Sequence, residues 1–149
     1  MLNPDGVIVG NYRCGLAGKD LNRNYRHPPK GMFPTVWHFK DLIDDIKKTY
    51  KILAYFDLHG HSRKSNVFTY GCTDSQQPET ELLARVFPWI MANKAPNSFS
   101  FESCKFHISR KKQATSRVVM WKQMEIKNCF TLEASFAGSS KLYCYIFQI

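Results

Sequence analysis

The chain has 149 residues, of which 44% are hydrophobic and 14% aromatic, and this suits one globular unit of ordinary size. Its formal net charge is +9, from 21 Lys and Arg against 12 Asp and Glu, which favours the binding of polyanions. No apolar run approaches the roughly 20 residues that cross a bilayer, and the N-terminus lacks the pattern of a secretory signal. These features argue against a membrane or secreted protein and favour the cytosol.

The first predicted elements are a loop region, a helix and two strands. Residues 3–34 are rich in Gly, Pro and Asn, which is typical of loops over the edge of a scaffold. In residues 35–50 apolar side chains recur at helical spacing between charged ones, which predicts an amphipathic helix. The short apolar run 51–58 predicts a buried strand that leads into His59, and residues 66–70 predict a second strand.

The second half of the chain continues the alternation. Residues 79–93 have helical spacing, although Pro88 is expected to kink or interrupt that helix. Residues 117–121 and 129–136 are predicted as two more strands, and the aromatic-rich residues 141–149 as either an edge strand or an aggregation-prone end. Helices that alternate with strands predict an α/β layer structure with at least partly parallel strand pairing.

Cysteine usage and the basic residues have plain structural explanations. The five cysteines are widely separated, with no C-x-x-C pair, and we expect buried or incidental reduced thiols. The densest basic cluster, residues 110–112, has no RNP pattern, zinc finger or heptad repeat beside it. A solvated loop and a binding surface remain comparable interpretations of that cluster, and a nucleic-acid-binding domain is the least favoured function.

His59 is the first candidate for chemistry. A neutral imidazole is a good zinc ligand, and a strand end fixes its direction. The alternative is a hydrogen-bonded structural histidine, which the residue taken alone would favour. His61 lies on the same side only if the strand persists through Gly60, so we assign it to a supporting position or a wall.

Glu133 is the second candidate, because it lies within an apolar strand pattern where a carboxylate is costly to bury without a partner. As a general base it would take a proton from a metal-bound water that attacks a peptide carbonyl. The alternative is a glutamate at a strand edge that faces solvent or pairs with a lysine.

The loop-rich start contains Arg13, Asn22 and Arg23, and arginine is suited to bidentate recognition of a carboxylate. An exopeptidase must hold a free C-terminal carboxylate and polarise the scissile carbonyl, and these three side chains could divide the two tasks. The alternative for each arginine is a surface salt bridge.

Four separated motifs carry a family resemblance: NPDG at 3–6, GKDLNR at 18–23, DLHGHSRK at 57–64 and TLEASF at 131–136. Their order resembles the M14 zinc carboxypeptidases, and HGHSRK is similar to the cytosolic branch that removes glutamates from tubulin tails and similar acidic C-termini. The resemblance implies a carboxypeptidase-like three-layer α/β/α sandwich with a mixed, largely parallel sheet. It also implies a cytosolic location and leaves association with microtubules open.

Site roles follow from the same resemblance. It implies that His59 is the third zinc ligand, Glu133 the catalytic glutamate and Arg13 the arginine that polarises the substrate carbonyl. Asn22 and Arg23 are implied to bind the terminal carboxylate. The implied cofactor is one Zn²⁺ per full catalytic domain, and the implied partners are acidic or polyglutamylated C-termini such as those of tubulin, with no nucleic acid and no membrane.

The family's first two zinc ligands come from a His-x-x-Glu motif upstream of the region that resembles this chain. No histidine here is followed three residues later by Glu, so the zinc site of this chain is expected to be incomplete: His27, His38, His59, His61 and His107. Residues 1–138 are interpreted as part of a catalytic domain, and residues 139–149 as a divergent tail.

Two functions follow as hypotheses. The first is a zinc carboxypeptidase catalytic-domain segment that removes C-terminal glutamates. The second is a catalytically inactive module that binds acidic C-terminal tails through Arg13, Arg23 and the basic residues near Lys111. Zinc content separates the two, because the binder needs no metal.

Overall fold

The computed structural model describes residues 1–74 and 76–140, so the predictions for residues 141–149 lie outside the described residues. Five of the predicted elements occur in the predicted order, whereas residues 4–9, within the predicted loop region, form a short helix and residues 117–121, predicted as a strand, are helical. The helices are α1 (Pro4–Val9), α2 (Pro34–Thr49), α3 (Pro78–Lys94) and α4 (Ser116–Lys122), with 3₁₀ turns at Leu21–Arg23 and Arg110–Lys112. The strands are β1 (Ala54–His61), β2 (Val67–Tyr70) and β3 (Asn128–Ser135).

The chain forms two compact units. The first comprises residues 1–53 and 109–126, and the second comprises residues 54–108 and the described residues from 127 onward. The first therefore contains the loop-rich start, α2 and α4, whereas the second contains all three strands and α3. Within the described residues no helix is long and apolar enough to span a bilayer.

The amphipathic helix predicted for residues 35–50 is confirmed as α2, which buries Val36 and Ile43 on one face. Lys40 fastens this helix to the rest of the first unit. Its Nζ donates to the carbonyl oxygens of Tyr25 (3.0 Å) and Arg26 (3.2 Å), and to Oε1 of Gln123 (2.9 Å). Partial burial of the ammonium group lowers the pKa of Lys40.

We expect Lys40→Met to lower the free energy of unfolding by about 1 to 2 kcal/mol, because three acceptors lose a charged donor while the aliphatic packing is kept. Urea denaturation of the purified chain measures this. Lys47→Met, on the exposed last turn of the same helix, is the matched control and should change the free energy of unfolding by a few tenths of a kcal/mol at most. Equal losses in both variants would contradict the prediction.

The strand predicted for residues 117–121 is wrong, because these residues form helix α4. The pair Val118 and Val119 favours a strand locally. In the structure five consecutive residues from Ser116 to Met120 are buried, so no apolar face is distinguishable from a polar one. Burial on all sides removes the periodicity that would have indicated a helix, and tertiary packing outweighs the local β-propensity.

The second unit is built on a three-stranded mixed sheet with the order β1-β3-β2. β1 pairs with β3 in parallel and β2 pairs with β3 antiparallel, which confirms an α/β fold with a mixed sheet. The central strand β3 buries Cys129, Phe130 and Thr131. Since β3 is covered on both edges, its side chains are held more firmly than those of the outer strands.

Helix α3 runs without interruption through Pro88, so of the expected kink or interruption the interruption does not occur. A proline ring normally clashes with the carbonyl group four residues earlier, here that of Ala84, at a cost of about 3 kcal/mol. Ala84 and Pro88 are both buried, and Phe87 packs against Phe56 and Phe130 with ring centroids 4.9 and 5.1 Å away. This apolar packing offsets the cost of the proline.

Candidate functional site

The loop that carries Arg13 is fixed by the NPDG motif. The side-chain oxygen of Asn3 accepts the backbone N–H of Gly6 at 3.1 Å and so caps α1, while its amide nitrogen donates to the carbonyl oxygen of Cys14 at 3.2 Å. A Cβ atom at Gly6 would collide with that same Cys14 carbonyl oxygen, so only glycine fits there. The motif therefore positions the backbone next to Arg13.

A tight hairpin then brings Arg13 beside Asp20. Cys14 pairs with Asp20 as an antiparallel bridge, and the turn between them ends at Gly18, whose φ of +66° suits glycine. Nη2 of Arg13 lies 2.8 Å from Oδ2 of Asp20. The other carboxylate oxygen of Asp20 accepts the backbone N–H of Asn22 at 2.9 Å.

Asn22 and Arg23 are held in the same region of the first unit. The Asn22 side-chain oxygen accepts the backbone N–H of Ser116 at 2.8 Å, which anchors the loop to the start of α4. Nη1 of Arg23 donates to the Asn22 carbonyl oxygen at 2.7 Å and lies 3.8 Å from Oδ2 of Asp20. The three residues predicted to bind substrate are therefore gathered around one carboxylate, that of Asp20.

Further cations share this neighbourhood. Burial first, and then the charges of Arg23, Arg13 and Arg117, lower the pKa of Lys112, whereas Asp20 raises it. We call this group the cationic cluster: Arg13, Arg23 and Lys112 near Asp20, with the buried Arg117 near Lys112. The three accessible cations near one carboxylate make a site that is electrostatically complementary to an acidic peptide.

We expect Lys112→Gln to weaken binding of a glutamate-ended peptide about fivefold, because it removes one partly exposed cation from the cluster.

The Lys112→Gln substitution should also change the pH dependence of stability. Between the lowered pKa of Lys112 and its ordinary value of 10.5 the unfolded chain binds more protons, so the free energy of unfolding rises with pH there. Urea denaturation from pH 8 to 10.5 should show that the free energy of unfolding rises less steeply with pH in the variant than in the wild type. An equally steep rise in both would contradict a lowered pKa of Lys112.

The second unit contributes a row of polar side chains on one side of its sheet, which we call the polar face: Asp57, His59, His61 and Glu133. His59 is opposite Glu133 in the parallel register of β1 and β3. Nε2 of His59 lies 2.9 Å from Oδ2 of Asp57. This contact favours the tautomer protonated at Nε2, which makes Nδ1 the nitrogen suited to bind a metal.

β1 continues through Gly60 to His61, so the condition set for His61 is met and it shares the polar face with His59. Nδ1 of His61 lies 3.8 Å from Oε2 of Glu133, and its ring packs edge-on against Phe68 with centroids 5.0 Å apart. The Glu133 side chain is only 13% exposed. A mostly buried carboxylate beside an imidazole is suited to accept a proton.

The described residues do not by themselves fit a metal centre. In residues 1–74 and 76–140 no group of three or more His, Cys, Asp or Glu side chains could hold a metal ion. Catalytic zinc needs about three protein ligands and an open position. His59, held by Asp57, is suited to supply one ligand, and the remainder would have to come from outside the described residues.

Three contributors to these sites received no role from the sequence, namely Asp20, Asp57 and Arg117, and Lys112 was included only among the basic residues near Lys111. The sequence did contain a signal for Asp57. It lies two residues before His59 on a strand, and side chains two residues apart on a strand lie on the same face. The signal for Asp20 was its position directly before the Leu21–Arg23 turn, where aspartate is a preferred cap. Lys112 joins the cluster only through the tertiary fold, and no local pattern indicates that contact.

Comparison with known proteins places the chain in a family. No protein-family model matches it. Over 143 residues, 94% of its length, it is 53% identical to mouse cytosolic carboxypeptidase 3, and over 140 residues it is 49% identical to cytosolic carboxypeptidase 2 of Xenopus tropicalis. The chain is homologous to a segment of the cytosolic carboxypeptidases. It spans 14% of the length of each of these two relatives.

Solved structures confirm the fold of this cytosolic carboxypeptidase homologue. A metallo-carboxypeptidase from Burkholderia cenocepacia matches 91% of the chain with a TM-score of 0.75 at 24% identity, and the match spans 34% of that protein. A metallo-carboxypeptidase from Pseudomonas aeruginosa, in complex with (2-guanidinoethylmercapto)succinic acid, matches with a TM-score of 0.71 at 25% identity. The α/β class and the metallocarboxypeptidase-like fold are thus confirmed, and these neighbours imply a metal in the fold.

Proposed function

We propose that the chain is the segment of a zinc carboxypeptidase that binds the C-terminal end of an acidic protein tail and carries the catalytic glutamate. The observation that carries this proposal is the register of His59 opposite Glu133 on two parallel strands, with Asp57 orienting the imidazole. That arrangement sets one potential metal ligand beside one potential general base. It is supported by the family relationship at about half identity.

Substrate binding is assigned to the cationic cluster. Arg13 polarises the scissile carbonyl group, while Asn22 and Arg23 bind the terminal carboxylate through charge-assisted hydrogen bonds. The remaining positive charge of the exposed Lys112 suits glutamate side chains. The substrates are therefore acidic or polyglutamylated C-termini, such as those of tubulin, in the cytosol. The dicarboxylate bound by the Pseudomonas relative supports a carboxylate-binding fold.

Catalysis is assigned to Glu133, which accepts the proton of the attacking water and returns a proton to the leaving amine. Its low exposure limits competing solvation of the carboxylate. His59 supplies one ligand to the zinc ion, with Asp57 holding its ring. The other ligands are supplied by polypeptide that corresponds to the upstream part of the relatives.

A second function is favoured by one observation: no group of three metal ligands exists among the described residues. If the chain functions without a metal, it is an inactive binder of acidic C-terminal tails, and the cationic cluster alone performs its function. Both functions require recognition of a free terminal carboxylate, and only the first requires zinc.

The decisive experiment compares peptide binding with zinc content. Calorimetry with a glutamate peptide that has a free C-terminus, and with the same peptide amidated, should show tighter binding of the free form. Elemental analysis of the chain co-purified with the upstream segment of mouse cytosolic carboxypeptidase 3, with His59→Ala as its control, then separates the functions. About one zinc per chain that is lost in His59→Ala supports the enzyme, and peptide binding without zinc supports the binder. Equal affinity for both peptides would contradict both.

A further inference from the structure

We propose that Tyr12 is a specificity-determining residue, which contacts the penultimate residue of the peptide and favours glutamate at that position. This inference rests on the proposed function, because it takes from it the contact between Arg13 and the scissile carbonyl group. It adds a second recognised residue to the one whose terminal carboxylate Asn22 and Arg23 bind.

The first observation is the backbone conformation of Tyr12. The N–H of Cys14 donates to the carbonyl oxygen of Asn11 at 3.0 Å and closes a turn, in which Tyr12 and Arg13 are the two central residues. The φ of Tyr12 is +57°, in the left-handed region where the Cβ atom of an L-residue crowds the following carbonyl oxygen. Gly, Asn and Asp are the usual residues at such turn positions. Tyr12 therefore raises the free energy of the folded chain relative to glycine at the same position.

Among the described residues, the other non-glycine residues with positive φ have local explanations. Asn66 (φ +67°) is of a type that tolerates this region, and its side chain exchanges two hydrogen bonds with Ser140. Glu125 (φ +55°) follows helix α4, and a left-handed residue is common after a helix. Helix α1 already ends in the left-handed Gly10, so Tyr12 is not needed to terminate it.

The second observation is the exposure of the Tyr12 ring. The residue is 82% exposed, so its ring buries little apolar surface against the chain itself. A residue that strains the backbone and contributes little packing is unfavourable to the folded chain on both counts. Strained residues of this kind cluster at sites where ligands bind. The Tyr12 ring is therefore available for a contact with a ligand.

The adjacent Arg13 determines which part of the substrate the ring meets. Arg13 is assigned to polarise the scissile carbonyl group, and that group belongs to the penultimate residue of the peptide. The Cα atoms of neighbouring residues are about 3.8 Å apart across a trans peptide bond. The Arg13 guanidinium is held by Asp20 at 2.8 Å. A penultimate residue whose carbonyl oxygen contacts Arg13 therefore has its side chain within reach of the Tyr12 ring.

The chemistry of a phenol ring favours glutamate at that position. The ring packs against the methylene groups of a glutamate side chain, and the hydroxyl donates a hydrogen bond to its carboxylate. Hydrogen bonds to a charged acceptor are the stronger kind, and tyrosine has few rotatable bonds to immobilise. Alanine at the penultimate position offers neither contact. Tyr12 thus extends recognition to acidic tails whose last two residues are both glutamate.

The test is calorimetry of the purified chain with two peptides that both end in glutamate with a free carboxylate. Their penultimate residue is glutamate in one and alanine in the other. We expect the wild type to bind the Glu-Glu peptide about tenfold more tightly. Tyr12→Phe keeps the ring but removes the hydroxyl, and it should reduce that preference to about threefold. Tyr12→Gly removes both contacts and should leave about a twofold preference, which reflects the cationic cluster.

Tyr50→Gly is the matched control, since Tyr50 is 70% exposed in the same unit but has a φ of −123°. It should leave the preference for penultimate glutamate unchanged. Urea denaturation provides a readout that a structural role would not give. Tyr12→Gly should raise the urea midpoint, because glycine adopts a φ of +57° without strain, whereas Tyr50→Gly should not raise it. Loss of the preference together with a gain in stability would identify Tyr12 as a specificity residue.

Three results would overturn the proposal. One is a wild-type chain with no preference for penultimate glutamate, and another is a preference that Tyr12→Phe and Tyr12→Gly both retain in full. The third is a lower urea midpoint in Tyr12→Gly, which would assign the ring to the stability of the fold. The amidated Glu-Glu peptide separates these results from a failure of the proposed function. If the wild type prefers the free terminus, recognition of the terminal carboxylate stands and only the role of Tyr12 is lost; if it does not, both fail.

Discussion

Glu133→Gln is expected to reduce hydrolysis of a glutamate-ended peptide about a thousandfold, while peptide affinity stays within a factor of about two. Glutamine keeps the shape of the side chain but cannot accept a proton from water. Since Glu133 is 13% exposed and Oε2 lies 3.8 Å from His61 Nδ1, the amide fits the same space. The measurement is a single-turnover assay of released glutamate by mass spectrometry, with zinc added to a complex of the chain and the upstream segment of mouse cytosolic carboxypeptidase 3.

The control for that assay is Glu102→Gln, which removes an exposed carboxylate elsewhere in the second unit and should leave the rate unchanged. A wild-type rate equal to that of buffer would remove the catalytic proposal for this chain and leave the binder. If the wild-type chain is active and Glu133→Gln retains that activity, the general base is a different residue. Affinity measured in parallel separates a loss of chemistry from a loss of binding.

Arg23→Gln is expected to weaken binding of a peptide with a free C-terminus about a hundredfold and to abolish the preference over the amidated peptide. Arg23 donates to the Asn22 carbonyl and lies beside Asp20, so its guanidinium is oriented before substrate arrives. A guanidinium group that is already oriented loses little conformational entropy when it binds a carboxylate. Glutamine has neither the charge nor the paired donors.

Calorimetry with the two peptides measures both effects. Arg26→Gln removes the same charge from an exposed neighbouring position and should cost only a small factor in affinity. Arg23→Lys keeps the charge but lacks the planar fork, so it should recover affinity for acidic peptides more than it recovers the preference for a free terminus. An Arg23→Gln variant that still distinguishes the two peptides would assign carboxylate recognition to another side chain.

Most of the secondary structure could be predicted because its signals are local. Helix α2 has regular apolar spacing, and β1 and β3 are short apolar runs next to polar residues, so position along the chain is enough to identify them. Helix α4 could not be predicted, because its burial on every side hides the helical period. The continuous helix through Pro88 also depends on packing, since Phe56 and Phe130 lie far from Phe87 in sequence.

In the candidate site, too, some features could be predicted from the sequence and others depended on the tertiary structure. The types and order of Arg13, Asn22, Arg23, His59 and Glu133 are sequence properties, and they were enough to indicate the family that the comparisons confirm. Their partners are not sequence properties. The contact of Asn22 with Ser116 spans 94 positions, and the register of His59 with Glu133 depends on the pairing of strands that are 74 residues apart at those positions.

The amino-acid sequence by itself determined the fold class, the family and the residues suited to chemistry, because periodicity and motif spacing act over a few residues. Only the tertiary structure decided which charges meet around Asp20, which nitrogen of His59 faces Asp57 and which apolar side chains of β1 and α3 stay exposed. Those outcomes depend on non-local packing and on the desolvation of groups that the chain brings together only when it folds.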